Sequence, residues 1–166
     1  MNAANWVGPD SHRRARPAPG HGEGARRMAK RKRLRTILLV EEENNERERL
    51  REILEAQGFR VLEASDFWTA LQVHSQHPGR IDMLLTAIAL SGNNGYELAS
   101  AITGTDPRLK VLFASGPSGA EVSRFYNMPV NGPHLLNKPV GPDDLIARVN
   151  RAFGVRKRHY HVQRAR

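Results

Sequence analysis

Five short apolar runs, separated by stretches of helical or turn character, recur between residues 35 and 153 and limit what the chain can fold into. The runs lie near Arg35 to Val40, Arg60 to Glu63, Asp82 to Thr86, Lys110 to Ala114 and His134 to Leu136. Each is short enough to read as a strand, and turn residues or helical periodicity lie between them. From Asn44 to Gln57, Leu50, Ile53 and Leu54 share one face opposite Glu46, Arg47, Glu48, Arg49 and Arg51, and Gly58 supplies a stop. A last helix is expected near Asp143 to Phe153. It opens at Gly141-Pro142 with Asp143 and Asp144 in its positive first turn and turns Leu145, Ile146, Val149 and Phe153 inward. Strands joined through single helices must run parallel, and right-handed crossovers then predict an α/β doubly wound, three-layer sandwich. Ligand chemistry in such a fold belongs at the carboxyl ends of the strands.

Charge is distributed unevenly. The net charge of +9 resolves into basic ends, with nine Lys/Arg in residues 1 to 33 and five in residues 155 to 166, around a body carrying twelve Lys/Arg against fifteen acids. Residues 1 to 33 are rich in Pro, Gly, His and Arg without periodicity. They are expected to be a disordered basic tail, and residues 155 to 166 a second one, flanking a domain at 34 to 154. Met28 is a plausible alternative start. Cysteine is absent, which excludes disulfides, thiolate metal sites and thiol catalysis. Apolar runs are too short to span a bilayer, and the basic stretch from Arg13 to Arg35 lacks the apolar segment of a secretory signal, so a cytoplasmic protein is expected.

The strand-like run Ile81 to Thr86 ends at Ala87, and Ser91-Gly92-Asn93-Asn94-Gly95 reads as a turn feeding a helix that begins near Tyr96. Glu41 and Glu42 follow the first strand in Leu39-Val40-Glu41-Glu42-Glu43, Ser115 follows the fourth in Ala114-Ser115-Gly116, and Lys138 follows the fifth in Leu136-Asn137-Lys138-Pro139. This series resembles the receiver domain of bacterial response regulators over about Arg35 to Phe153. The resemblance implies a flavodoxin-like (βα)5 fold with strand order 2-1-3-4-5 and a role in two-component phosphorelay signalling. It also implies that Ala87 stands at the position of the phosphoacceptor aspartate, Glu41 and Glu42 at the acidic pair that holds Mg²⁺, Ser115 at the switch hydroxyl, Lys138 at the phosphate-facing lysine and Leu135 at the switch aromatic.

Several of these positions depart from the family pattern. A methyl group at Ala87 offers no nucleophilic oxygen and no metal ligand. The longer arms of Glu41 and Glu42, with no carboxylate at position 87, predict that Mg²⁺ binding, including any through Glu42, is weak or absent. Leu135 has neither a polar tip nor a ring to flip. The expected function is therefore that of a pseudo-receiver, not an enzyme, with Lys138 paired to Glu41 or Glu42. It would act by binding a histidine kinase, a phosphotransfer protein or another receiver.

The alternative is a nucleic-acid-associated module using Arg13, Arg14, Arg16, Arg26, Arg27, Lys30 to Arg33 and Arg156-Lys157-Arg158, although no base-reading motif accompanies them. Weaker signals have ordinary explanations. Ser115 with Lys138 could be drawn as a hydrolase dyad, but no oxyanion hole is indicated. His74 and His77 have helical spacing beside Pro78-Gly79, where a surface helix terminus is expected. Trp68, after Phe67, is expected at the edge of the core. The fourth helix should last about two turns before Pro129 and Pro133 prevent its continuation.

Overall fold

In a computed structural model of the chain, residues 33–125, 127 and 132–154 are described; Met28, Pro129, the residues before Arg33 and those after Gly154 lie outside them. The strands β1 (Thr36–Val40), β2 (Arg60–Ala64), β3 (Met83–Ala87), β4 (Lys110–Ser115) and β5 (Leu135–Asn137) form one parallel sheet. Their order across it is β2-β1-β3-β4-β5, the flavodoxin-like arrangement. Among the described residues the helices are α1 (Asn44–Ala56), α2 (Phe67–Gln76), α3 (Gly95–Thr105), α4 (Pro117–Phe125) and α5 (Pro142–Ala152).

Burial explains why the central strands are apolar throughout. Every residue of β1 and of β3 is buried, because both faces of the sheet are covered. Ile37 and Leu39 join Leu50 and Leu54 of α1 and Leu145 and Val149 of α5 in one core layer. Leu38 and Val40 point the other way, to Ala70 of α2 and to Leu98 and Ile102 of α3. The strand period of two therefore divides one apolar run between two cores. The edge strand β2 is only partly covered and carries Arg60 and Glu63 outward.

The element ends follow from local chemistry. Glu43 caps α1 through a 2.8 Å bond accepted from Glu46 N–H. Asn94 caps α3 by accepting from the amides of Tyr96 and Glu97, so this helix opens at Gly95. Short antiparallel pairing of Ala89–Leu90 with Asn93–Asn94 builds the preceding turn, at the place where the sequence reads as one. The α4 helix has nine residues, consistent with the two turns expected.

Trp68 departs from its expected place. The helix turns Phe67 and Ala70 inward and leaves Trp68 73% exposed, because neighbouring helical positions differ by about 100° around the axis. Its ring meets that of Phe67 edge-on at 5.1 Å, which is its tie to the core. His77 lies at the C-cap of α2, with its Nδ1 2.8 Å from Val73 O, as a helix terminus should.

Asp66 caps α2. Its carboxyl is held below the usual carboxylate range, first by the Thr69 amide and then by the Thr69 and Ser65 hydroxyls. Such a group stabilises the fold above its unfolded pKa of about 4, and the contribution is lost as pH falls through the lower folded value. Asp66→Asn keeps a capping oxygen without the titration, so its stability measured by urea unfolding should fall less steeply than the parent's in that acidic range. In the core, Leu84→Ala should cost about 3 kcal/mol in the same measurement. Leu34→Ala, at a 60% exposed residue, should stay within about 0.5 kcal/mol of the parent.

Candidate functional site

The carboxyl ends of β1, β3, β4 and β5 bring Glu41, Ala87, Ser115 and Lys138 to one end of the sheet. Glu41 is 4% exposed, and its two carboxylate oxygens have different partners. Oε1 accepts the Glu43 N–H at 3.2 Å, and Oε2 forms an ion pair with Lys138 Nζ. The Glu41 carbonyl accepts from Arg47 Nη1 at 2.7 Å, so the loop between β1 and α1 is fixed from both sides. On Lys138, the backbone N–H donates to Ser115 O at 2.8 Å, and the peptide to Pro139 is cis.

Glu42 does not share in this pairing. Its carboxylate turns to the loop after β3, where it accepts from the Ser91 N–H and, at 2.9 Å, from the Ser91 hydroxyl. Glu43 is likewise committed elsewhere, as the α1 cap. Of the acidic pair considered as partners for Lys138, the structure selects Glu41, because the helix start and the Ser91 loop each engage one of the other carboxylates.

Ala87 is the last residue of β3 and is 4% exposed. Its carbonyl accepts from the Thr86 hydroxyl at 2.9 Å, and α3 begins directly against it. A Cβ at Gly95 would lie 2.3 Å from Ala87 O, so only glycine lets the helix start this close to the strand end. Ser115 is buried, and its hydroxyl donates to Gly116 O at 3.2 Å. It also lies where a Cβ on Gly119 of α4 would approach to 2.8 Å. The Ser115 hydroxyl and the Lys138 ammonium thus have separate partners and make no nucleophile–base pair.

Leu135 is buried and stands opposite Phe113 in the sheet. The Phe113 ring in turn meets Tyr96 of α3, with ring centroids 4.7 Å apart. The Tyr96 hydroxyl is 2.8 Å from Ser123 Oγ, and the fully buried Ser123 hydroxyl donates to Gly119 O at 2.9 Å. The Tyr96–Ser123 contact ties α4 to α3, and sequence reasoning missed it. The signal available was small residues on the inner face of α4, whose significance depends on which helix lies beside it.

One Glu41 oxygen is held by an ammonium group, Glu42 is bound to Ser91, and position 87 offers a methyl group. Among the described residues, no three His, Asp or Glu side chains converge as metal ligands.

Residues 37–150 match the response regulator receiver domain. The chain belongs to that family. It is 29% identical over 127 residues to the transcriptional regulatory protein CpxR of Escherichia coli K12, covering 76% of this chain and 52% of that protein. It is 29% identical over 118 residues to the response regulator receiver protein CpdR of Brucella abortus, covering 71% and 96% respectively. The chain thus spans about half the length of CpxR but nearly all of CpdR. Among solved structures, the receiver domain of the hybrid histidine kinase CckA aligns with TM-score 0.58 at 26% identity, covering 73% of this chain and 99% of that one. A receiver domain protein from Clostridium thermocellum aligns with TM-score 0.64 at 23% identity, covering 73% and 95%, which supports the fold alone. The protein carries a receiver domain of the two-component response-regulator type. No helix among the described residues is long and apolar enough to cross a membrane.

The Glu41–Lys138 pair sets an expectation for stability. Glu41 is nearly buried while Lys138 is partly exposed, so losing the lysine should cost about 2 kcal/mol, between the values for exposed and buried pairs. Lys138→Met should show this loss in urea unfolding. Adding Glu41→Gln should recover much of it, because the uncompensated buried charge is then gone.

Proposed function

We propose that this chain is a pseudo-receiver, a two-component signalling domain that does not take up a phosphoryl group and works by binding a partner protein. The observation that carries this reading is the buried methyl group of Ala87 at the end of β3, with the lysine at the same end of the sheet already paired with Glu41. A phosphoryl group transferred to a receiver needs a carboxylate oxygen as nucleophile, and alanine has none. Lys138, the cation that would meet the phosphate, already has a counter-charge within the domain. Mg²⁺ binding by Glu41 or Glu42 is expected to be weak or absent for the same reason.

A domain built in this way holds one arrangement where a phosphorylated receiver moves between two. The Tyr96–Ser123 bond supports that reading, since it ties α4 to α3 without any ligand. The partners that suit such a domain are a histidine kinase, a phosphotransfer protein or another receiver, met in the cytoplasm. Relatives named as transcriptional regulatory proteins are about twice as long as the matching segment.

Incubation with acetyl phosphate and Mg²⁺ tests the chemistry. Intact-protein mass spectrometry should show no hydroxylamine-sensitive gain of a phosphoryl group, and a stoichiometric gain at an acyl site would overturn the reading. Beryllofluoride with Mg²⁺ should leave the amide resonances around Ser115 and Leu135 in place. Ala87→Asp is expected to restore weak labelling at most, because Glu41 and Glu42 remain engaged by Lys138 and Ser91.

A further inference from the structure

The net charge of the body conceals a separation that only the fold reveals. In a parallel βα sheet all strands start at one end and the helices finish there. At this amino end Arg60 opens β2, Arg108 and Lys110 lead into β4, His134 precedes β5, and Arg151 lies in the last turn of α5. All five are exposed. The cations among them, Arg60, Arg108, Lys110 and Arg151, form no ion pair among the described residues.

The cations of α1 are placed differently. Arg47 pairs with Glu63 at 3.4 Å, Arg49 with Glu46 at 2.8 Å, and Arg51 with Glu55 at 3.1 Å. Acids gather at the opposite end, where Glu41, Glu42, Asp66, Asp143 and Asp144 stand at strand carboxyl ends or helix starts. Acids occur at the amino end as well: Asp82, whose Oδ2 accepts the Thr36 N–H at 2.8 Å, Asp106, the C-cap of α3, and Glu55 in the last turn of α1, paired with Arg51. Lys110, His134 and Arg151 line a single cavity of about 340 Å³ with Val111, Pro133 and Ala152.

The chain enters and leaves the domain at this same end. Arg35, just before β1, lays its guanidinium 4.2 Å above the Phe153 ring, and its Nη1 donates to Phe153 O at 3.3 Å. The first strand and last helix are therefore clasped together there. The sequence before Leu34 and after Gly154 contains 14 of the 26 Lys and Arg residues, 11 of them Arg, against Asp10 and Glu23.

We propose that the amino end of the sheet, centred on Lys110, His134 and Arg151, is a surface that binds nucleic acid through its phosphates. It lies opposite the acidic end and is independent of whether that end takes up phosphate. A duplex presents one negative charge per about 1.7 Å of its axis, so a compact group of unpaired cations releases counterions on binding. Arginine, which predominates here, offers a planar fork matched to phosphate oxygens. No base-reading element is presented among the described residues, and the surface should bind without sequence preference.

The test is fluorescence anisotropy with a short duplex DNA, using the full-length protein at two or more salt concentrations. Binding should weaken steeply with salt. The double reversal Lys110→Glu/Arg151→Glu should lower affinity at least about tenfold and flatten the logarithmic salt slope by about 2. The milder Lys110→Ala/Arg151→Ala should fall between it and the parent, which keeps the test decisive if the reversal impairs folding. Asp143→Lys, at the opposite end, should leave affinity unchanged. Failure to bind duplex at low salt would overturn the proposal, as would full affinity in both double variants, since the terminal segments would then suffice. Binding to phosphatidylserine vesicles with none to the duplex would also overturn it and assign the surface to a membrane.

Discussion

Burial of β1 and β3 on both faces is the constraint from which the rest of the molecule follows. Thr36 to Val40 and Met83 to Ala87 have no exposed residue, so helices must cover both sides of the sheet. Each large apolar side chain removed from water contributes roughly 1.5–3 kcal/mol, and these ten residues supply Ile37, Leu38, Leu39, Met83, Leu84 and Leu85 to that total. Single helical crossovers then place every strand end that carries polar chemistry at one end of the sheet.

At that end, polar groups meet where burial is uneven: Glu41 is buried, whereas Lys138 is partly exposed and Ser91 open to solvent. Glu41 is charged and buried, and it is kept there by the Lys138 ammonium and the Glu43 amide. Burying a carboxylate without such partners would cost several kcal/mol, so the pair is part of the fold as well as of the site. Glu42 and Glu43, although adjacent in sequence, go to different tasks: one fastens the Ser91 loop and the other starts α1. The same close packing explains two glycines. Gly95 lets α3 start against the Ala87 carbonyl, and Gly119 lets α4 lie on the Ser115 hydroxyl.

The two ends of the sheet differ in electrostatic character as well as in chemistry. Acids at the helix starts lie in the positive field of the helix dipoles, as Asp143 and Asp144 do in α5. Basic residues at the strand starts and helix ends occupy the complementary place. Net charge summed along the chain cannot show this, because it averages over both ends.

The strand–helix alternation, the approximate element boundaries and the α/β class were all legible in the sequence, because periodicities of two and 3.6 are local and the apolar runs carry them directly. The absence of a carboxylate at position 87 was equally legible, since it depends on residue identity alone. Sequence could not choose between Glu41 and Glu42 as the partner of Lys138, because the two are neighbours and the lysine is 97 positions from Glu41. Nor could it place Trp68 on the outside, pair Tyr96 with Ser123, or set Lys110 beside Arg151. Those outcomes depend on which elements the parallel crossovers make adjacent. Contacts between residues far apart in the chain are decided only when the sheet closes its register and the helices settle on its faces.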